Sequence, residues 1–147
     1  MELGVAFYRG PGGFIHWLIR NWTRSDFTHV ELTLPDADGH LGIRPWEDGV
    51  RSFKPLDLEH WEIISFKADV DQVMSIQRFY ERTRGQTYDW LGVIFNHITP
   101  FQIKQVGKWY CSEWVAHALD YAGVLHIEPH EYRNPGLLFE AVKERRS

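Results

Sequence analysis

Between Phe27 and Leu34 apolar and polar side chains alternate without a break. Val30, Leu32 and Leu34 fall on one side; His29, Glu31 and Thr33 fall on the other. Period-two patterning of this kind describes a β-strand with one face buried. The run leads into Pro35-Asp36-Ala37-Asp38-Gly39, whose Asp-Gly pair is a hairpin signal, and Leu41–Arg44 reads as the returning strand. This part of the chain is thereby committed to antiparallel pairing.

Other segments supply more strands and the layers that cover them. Leu3–Tyr8 reads as a short buried strand and Trp61–Lys67 as another. Pro45 and Gly49 distort the returning strand, as at a bulge or edge, and Val50–Phe53 resumes it briefly. Phe14–Trp22 carries apolar residues at helical spacing; with Arg20 and Arg24 it would suit a membrane surface, although core packing is the commoner use of such a face. Asp69 with Gln72 forms a capping box that opens a helix with the stripe Val73, Ile76, Phe79 and Tyr80, ended by Gly85. Tyr88–His97 reads as a further short helix and Thr99–Lys108 as a loop. Cys111, Trp114, Val115, Ala118, Leu119 and Ala122 recur at helical spacing, with Gly123 as the closing residue. Asn134 then caps and Pro135 starts a terminal helix with Leu137, Leu138, Ala141 and Val142. The expected fold class is α+β, an antiparallel sheet packed against helices, in a single domain spanning 1–147.

Composition narrows the function classes. A length of 147 residues suits one domain, and 44% hydrophobic with 15% aromatic residues is ample for a core. A net charge of -4 gives no basic surface for nucleic acid. The single cysteine leaves no internal disulfide. Arg9-Gly10-Pro11-Gly12-Gly13 lacks the Lys-Ser/Thr ending of a phosphate-binding loop. No apolar run reaches the ~18 residues of a membrane span, and Met1-Glu2-Leu3-Gly4 does not open like a signal peptide. The expected location is the cytoplasm, with export by another system left open.

The chemistry centres on Cys111. It stands at the start of a helix, where unpaired N–H groups and the helix dipole favour negative charge, and a thiolate is such a charge. Helix N-termini and nearby imidazolium lower a thiol from ~8.5 to roughly 3.5–7.5. A lone cysteine is also, more commonly, a small buried hydrophobe. A nucleophilic cysteine needs a base in hydrogen-bond reach, and the base needs an orienting group. Of eight histidines, His29 is the candidate base, mid-strand and just before the hairpin; the plain alternative is a histidine on a solvated strand face. His117 lies six residues into the cysteine helix and faces away from Cys111. His126 and His130 flank Glu128, but Pro129 breaks the helix that would align them on a metal. No metal or cofactor is expected. His40, several residues along the hairpin, is expected to lie too far off to orient His29. Glu31, two positions on and on the same face, is the first candidate for that task and Glu47 the second. A two-residue Asp38-Gly39 loop would set His29 opposite Asp48, and a longer loop opposite Trp46 or Glu47. Tyr110 is placed to line the site through its hydroxyl, or else to pack as a strand residue. Glu113 is expected to cap the helix or face solvent.

These residues resemble a known family. Phe27-Thr28-His29-Val30-Glu31-Leu32, the hairpin, Gly49-Val50-Arg51, Gly85-Gln86-Thr87-Tyr88-Asp89-Trp90-Leu91-Gly92 and Tyr110-Cys111-Ser112-Glu113 follow one another as in the permuted branch of the NlpC-type papain-like cysteine hydrolases. That branch includes the YiiX-like proteins, some phage-encoded, and more distantly the lecithin retinol acyltransferase group. The likeness runs from about Leu3 to Ala122. It implies a circularly permuted papain-like fold, Cys111 as nucleophile and His29 as base. The family's third polar member sits on the strand after the histidine, often a Glu, and this chain has Arg44 there. The resemblance implies a thiol peptidase or amidase acting on an amide bond, with cell-wall peptide (peptidoglycan) as one substrate. Lipid acyl hydrolysis or transfer on the same dyad is the near alternative. A non-catalytic binding module, its seven Trp lining a groove, is the distant one.

Overall fold

A computed structural model describes residues 1–9, 27, 29–35, 40–43, 50–53, 60–88, 108–132 and 134–146. Among these, strands β1 (Glu2–Tyr8), β2 (His29–Thr33), β3 (His40–Ile43), β4 (Val50–Phe53) and β5 (Trp61–Lys67) precede helix α1 (Val70–Thr83). Two short strands follow, β6 (Thr87–Tyr88) and β7 (Lys108–Trp109). Helix α2 (Cys111–Tyr121), a 3-10 turn over Pro129–Glu131 and helix α3 (Pro135–Arg146) complete the chain. The fold class is α+β, as patterning predicts. The expected helix over Phe14–Trp22, the hairpin tip and the loop at Pro55–Glu59 lie outside the described residues.

The first five strands form one antiparallel sheet in the order β4-β3-β2-β1-β5. Val5, Phe7, Val30, Leu32, Ile43 and Ile64 enter one hydrophobic core with Trp114, Val115, Leu119, Leu138 and Val142 from the helices. α2 packs on β2 and β3 and touches both other helices; α3 packs on β5. This is the layering that an amphipathic sheet requires, because its apolar face must be covered.

Helix boundaries follow local chemistry. The Asp69 carboxylate accepts from Gln72 N at 2.8 Å while the Gln72 side chain accepts from Asp69 N at 3.0 Å, the reciprocal capping box. Gly123 stands just past the end of α2; its φ of +71° costs a glycine little and lets Val124 N reach Leu119 O at 3.0 Å. Asn134 Oδ1 accepts from Leu137 N at 2.9 Å and so caps α3, which Pro135 starts.

Two expectations are corrected and one open choice is settled. β4 is not a resumption of β3 but reverses against it, His40 pairing with Phe53 and Ile43 with Val50. Tyr88 does not open a helix: it ends β6, which runs parallel to β7 at Lys108–Trp109; residues 89–97 lie outside the described part. Of the two β2–β3 connections weighed, the longer one forms, since Thr33 pairs with His40 and leaves 34–39 between them. The register moves by an even number of residues, so the faces are kept, and His40 comes to lie across from Thr33, close to Glu31 on the face they share.

Candidate functional site

Cross-strand partners share a sheet face. Tyr8 pairs with His29 and with Trp61, Ala6 with Glu31, Gly4 with Thr33, and Thr33 with His40. His29, Glu31, His40 and Trp61 therefore project from the same side. Patterning suggests that this side is solvated; instead His29 is 3% exposed and Glu31 is 0% exposed. Small residues stand at the neighbouring positions of β1 on this face. Ala6 stands opposite Glu31, and at Gly4 an added Cβ would collide with Thr33 Oγ1 and Ile63 Cγ2.

Glu31 is the hub. Its Oε2 accepts from Nε2 of His29 at 2.8 Å, and its Oε1 accepts from Nδ1 of His40 at 3.1 Å. A buried carboxylate is costly unless its lone pairs are met, and two ring N–H groups meet them here. The indole of Trp61 stands edge-on to His40, centroids 4.8 Å apart at 88°, and 6.2 Å from the ring of His29.

Cys111 comes from the other layer. It is the first residue of α2, it is buried, and its thiol lies within hydrogen-bond reach of His29. With Nε2 of His29 committed to Glu31, Nδ1 is the nitrogen left for sulfur. Burial by itself would lower the His29 pKa. The negative charges of Cys111 and Glu31, and the hydrogen bonds to both, overcome that and raise it from 6.5 to about 9. The arrangement thus favours the imidazolium form of His29.

The start of α2 suits the cysteine. Tyr110 is its N-cap residue and makes no side-chain capping hydrogen bond, so the first-turn N–H groups are not taken up by the residue that usually takes them. Ser112 Oγ donates to Tyr132 O at 2.7 Å and ties this turn to the segment before α3. Within the helix Trp114 is fully buried and its Nε1 donates to Thr83 Oγ1 at 2.8 Å, bracing α2 against α1.

The structure brings three sequence candidates together: Cys111, His29 and Glu31. Tyr110 adjoins Cys111 but is buried, its ring 6.4 Å from that of Tyr132. Glu113, expected as a cap or a surface residue, is buried; its charge, after desolvation by burial, helps raise the Tyr132 hydroxyl pKa. Glu47 and Asp48 lie outside the described residues. His117 makes its contacts elsewhere, with Nε2 3.4 Å from Tyr132 OH and its ring 5.1 Å from Trp109. His126 is exposed and pairs with Asp120 at 2.9 Å and Glu128 at 2.8 Å, while no group of His, Cys, Asp and Glu among the described residues could hold a metal ion. Of the described tryptophans, Trp114 belongs to the core and does not line a groove.

His40, expected too far off to orient His29 itself, enters the site by another route: it reaches the carboxylate that holds His29. The missing fact was the register: pairing of Thr33 with His40 puts His40 two positions off the residue directly across from Glu31, within reach of long side chains.

The fold and the cluster define an α+β protein with a cysteine–histidine–carboxylate constellation at a helix start. The chain matches no family model and no curated protein. No described helix is long and apolar enough to cross a membrane.

Proposed function

We propose that this protein is a cysteine-dependent hydrolase that cleaves an amide bond, with Cys111 as nucleophile, His29 as proton carrier and Glu31 as the group that orients His29. One observation carries the reading: a thiol at a helix start lies in hydrogen-bond reach of a buried imidazole whose other nitrogen is held by a buried carboxylate. That is the nucleophile, base and orienter set of covalent catalysis.

The steps follow from the geometry. Nδ1 of His29 takes the thiol proton, and the sulfur attacks the carbonyl carbon. The oxyanion that forms meets the backbone N–H of Cys111 at the positive end of α2; loss of one such donor costs roughly 2.7–4 kcal/mol in comparable sites. The C–N bond then breaks, and the imidazolium gives its proton to the leaving amine. Water, deprotonated by His29, attacks the thioester and frees the acid and the thiol. Glu31 keeps Nε2 protonated throughout, so Nδ1 always faces the chemistry. Tyr110, beside Cys111, is assigned to the substrate side. The substrate class is an amide, with peptides of the cell wall first. A circularly permuted papain-like fold is part of the same proposal, supported by the order histidine before cysteine and by the antiparallel sheet beneath the cysteine helix.

Alkylation of the native protein with iodoacetamide, followed across pH and mapped by mass spectrometry, tests the reading. Labelling of Cys111 at pH 6–7 is expected. A Cys111 that reacts only above pH ~8 behaves as an ordinary thiol and defeats the proposal. Peptide release from peptidoglycan fragments, set against hydrolysis of acyl esters, then identifies the substrate class.

A further inference from the structure

The cysteine-hydrolase reading uses one ring on Glu31, and the structure puts two there. An ionised carboxylate accepts and cannot donate. Both Nε2 of His29 and Nδ1 of His40 therefore carry hydrogen where they meet it, at 2.8 and 3.1 Å. We propose that His40 is a positioning residue of the Cys111 site: its Nδ1–H anchors Oε1 of Glu31, so that Oε2 stays on His29 and the His29 ring stays turned with its other nitrogen to the sulfur. The role rests on the hydrolase reading; the anchor itself rests on geometry alone.

Three features of the fold point the same way. Glu31 has three side-chain torsions, and a second hydrogen bond removes the freedom that one bond to a ring leaves. Its stem lies against the backbone of β3: a Cβ on Gly42 would stand 3.2 Å from Glu31 Cγ and 3.5 Å from its Cβ. That position is tight for any side chain, so the bare backbone at Gly42 lets the carboxylate reach His40. The His40 ring is in turn braced by the edge-on indole of Trp61 at 4.8 Å. Among the described residues, the titratable groups that face His29 are Glu31 on its own strand, Tyr8 paired with it from β1 and Cys111 from α2, with His40 from β3 acting through Glu31.

Two measurements on the full chain test the inference. Nitrogen-15 spectra of the ring nitrogens report protonation directly. His40 is expected to carry hydrogen on Nδ1; a bare Nδ1 overturns the anchor. The second measurement is the pH profile of Cys111 alkylation by iodoacetamide in wild type, His40→Asn and His40→Gln. The Asn amide nitrogen falls about where Nδ1 stands, and the Gln nitrogen about where Nε2 stands. His40→Asn should keep the wild-type profile. His40→Gln should lower the rate at pH 6–7 on the order of tenfold, as loss of an outer partner of a functional imidazole does, and move the His29 titration down. A merely structural role lowers the melting temperature of both variants alike without separating their profiles, and that result overturns the inference, as does a His40→Gln profile identical to wild type. Should neither variant fold, the wild-type spectra still decide. A wild-type Cys111 that labels only above pH ~8 defeats the hydrolase reading itself, an outcome distinct from failure of the anchor.

Discussion

Glu31→Gln is the sharpest perturbation of this site, because it keeps the shape and changes the hydrogen-bond inventory. The carboxylate accepts from two ring N–H groups, whereas an amide offers one acceptor oxygen and one donor NH2. One imidazole must then face a donor. Either a buried N–H loses its partner, at about 1–3 kcal/mol, or a ring changes tautomer. If His29 yields, its proton moves to the nitrogen that faces Cys111 and the base is lost. The charge effect is of similar size. Holding His29 at about 9 rather than 6.5 corresponds to about 3 kcal/mol of preference for the imidazolium, at ~1.36 kcal/mol per tenfold change. Cys111 and Glu31 share that preference against the cost of burial. Breaking one side of a buried ion pair costs about 3–5 kcal/mol, and an isosteric amide belongs at the low end. We expect Glu31→Gln to lose about 3 kcal/mol in urea unfolding at pH 6. Cys111 alkylation at pH 6–7 and hydrolysis should fall at least on the order of a hundredfold, against ~10⁴ for the equivalent change in a serine triad. The stability difference carries a sign with pH. A raised folded-state pKa stabilises fully below the unfolded value of 6.5, and the contribution fades as pH rises through about 9. The gap between Glu31→Gln and wild type should therefore narrow from pH 6 to pH 10. An unchanged midpoint with an unchanged alkylation profile would refute the shared-carboxylate account.

Cys111→Ala should abolish hydrolysis and alkylation, leave the protein folded by circular dichroism, and lower the His29 titration seen by NMR, since the partner that does most to raise it is gone; a His29 titration that stays put contradicts the pairing. Activity of the wild type should decline as pH rises through about 9, where His29 loses the proton it gives to the leaving amine; a rate still climbing at pH 10 speaks against it. Gly42→Ala forces Glu31 Cγ to yield from 3.2 Å and should cost about 1–3 kcal/mol by overpacking together with the early labelling of Cys111. Thr83→Val removes the acceptor of the buried Trp114 Nε1–H and should cost about 1–3 kcal/mol in unfolding free energy with Cys111 labelling unchanged, which separates stability from the site.

The parts of this protein that local rules govern were legible in the chain. The capping box at Asp69 and Gln72, the Gly123 stop, the Asn134-Pro135 start and the strands at Leu3–Tyr8 and Trp61–Lys67 each depend on residues within a few positions of one another. So does the placing of Cys111 at the head of α2, and of His29 and Glu31 on one face of β2. Alternation also implied a wet polar face, and there it failed: whether the second face of a strand meets solvent depends on what lies over it, and period-two patterning carries nothing about that.

Amino-acid order alone determined the α+β class, the ends of its helices and which residue types could serve as nucleophile, base and orienter, because hydrogen bonding within one turn or one strand is enough to settle these. Tertiary structure decided who meets whom. The register of β3 on β2 is a long-range choice, made by core packing and the length of the connection, and it is what carries His40 to Glu31. The same packing sets α2 against β2, so that a sulfur and a ring far apart in the chain come within one hydrogen bond of each other.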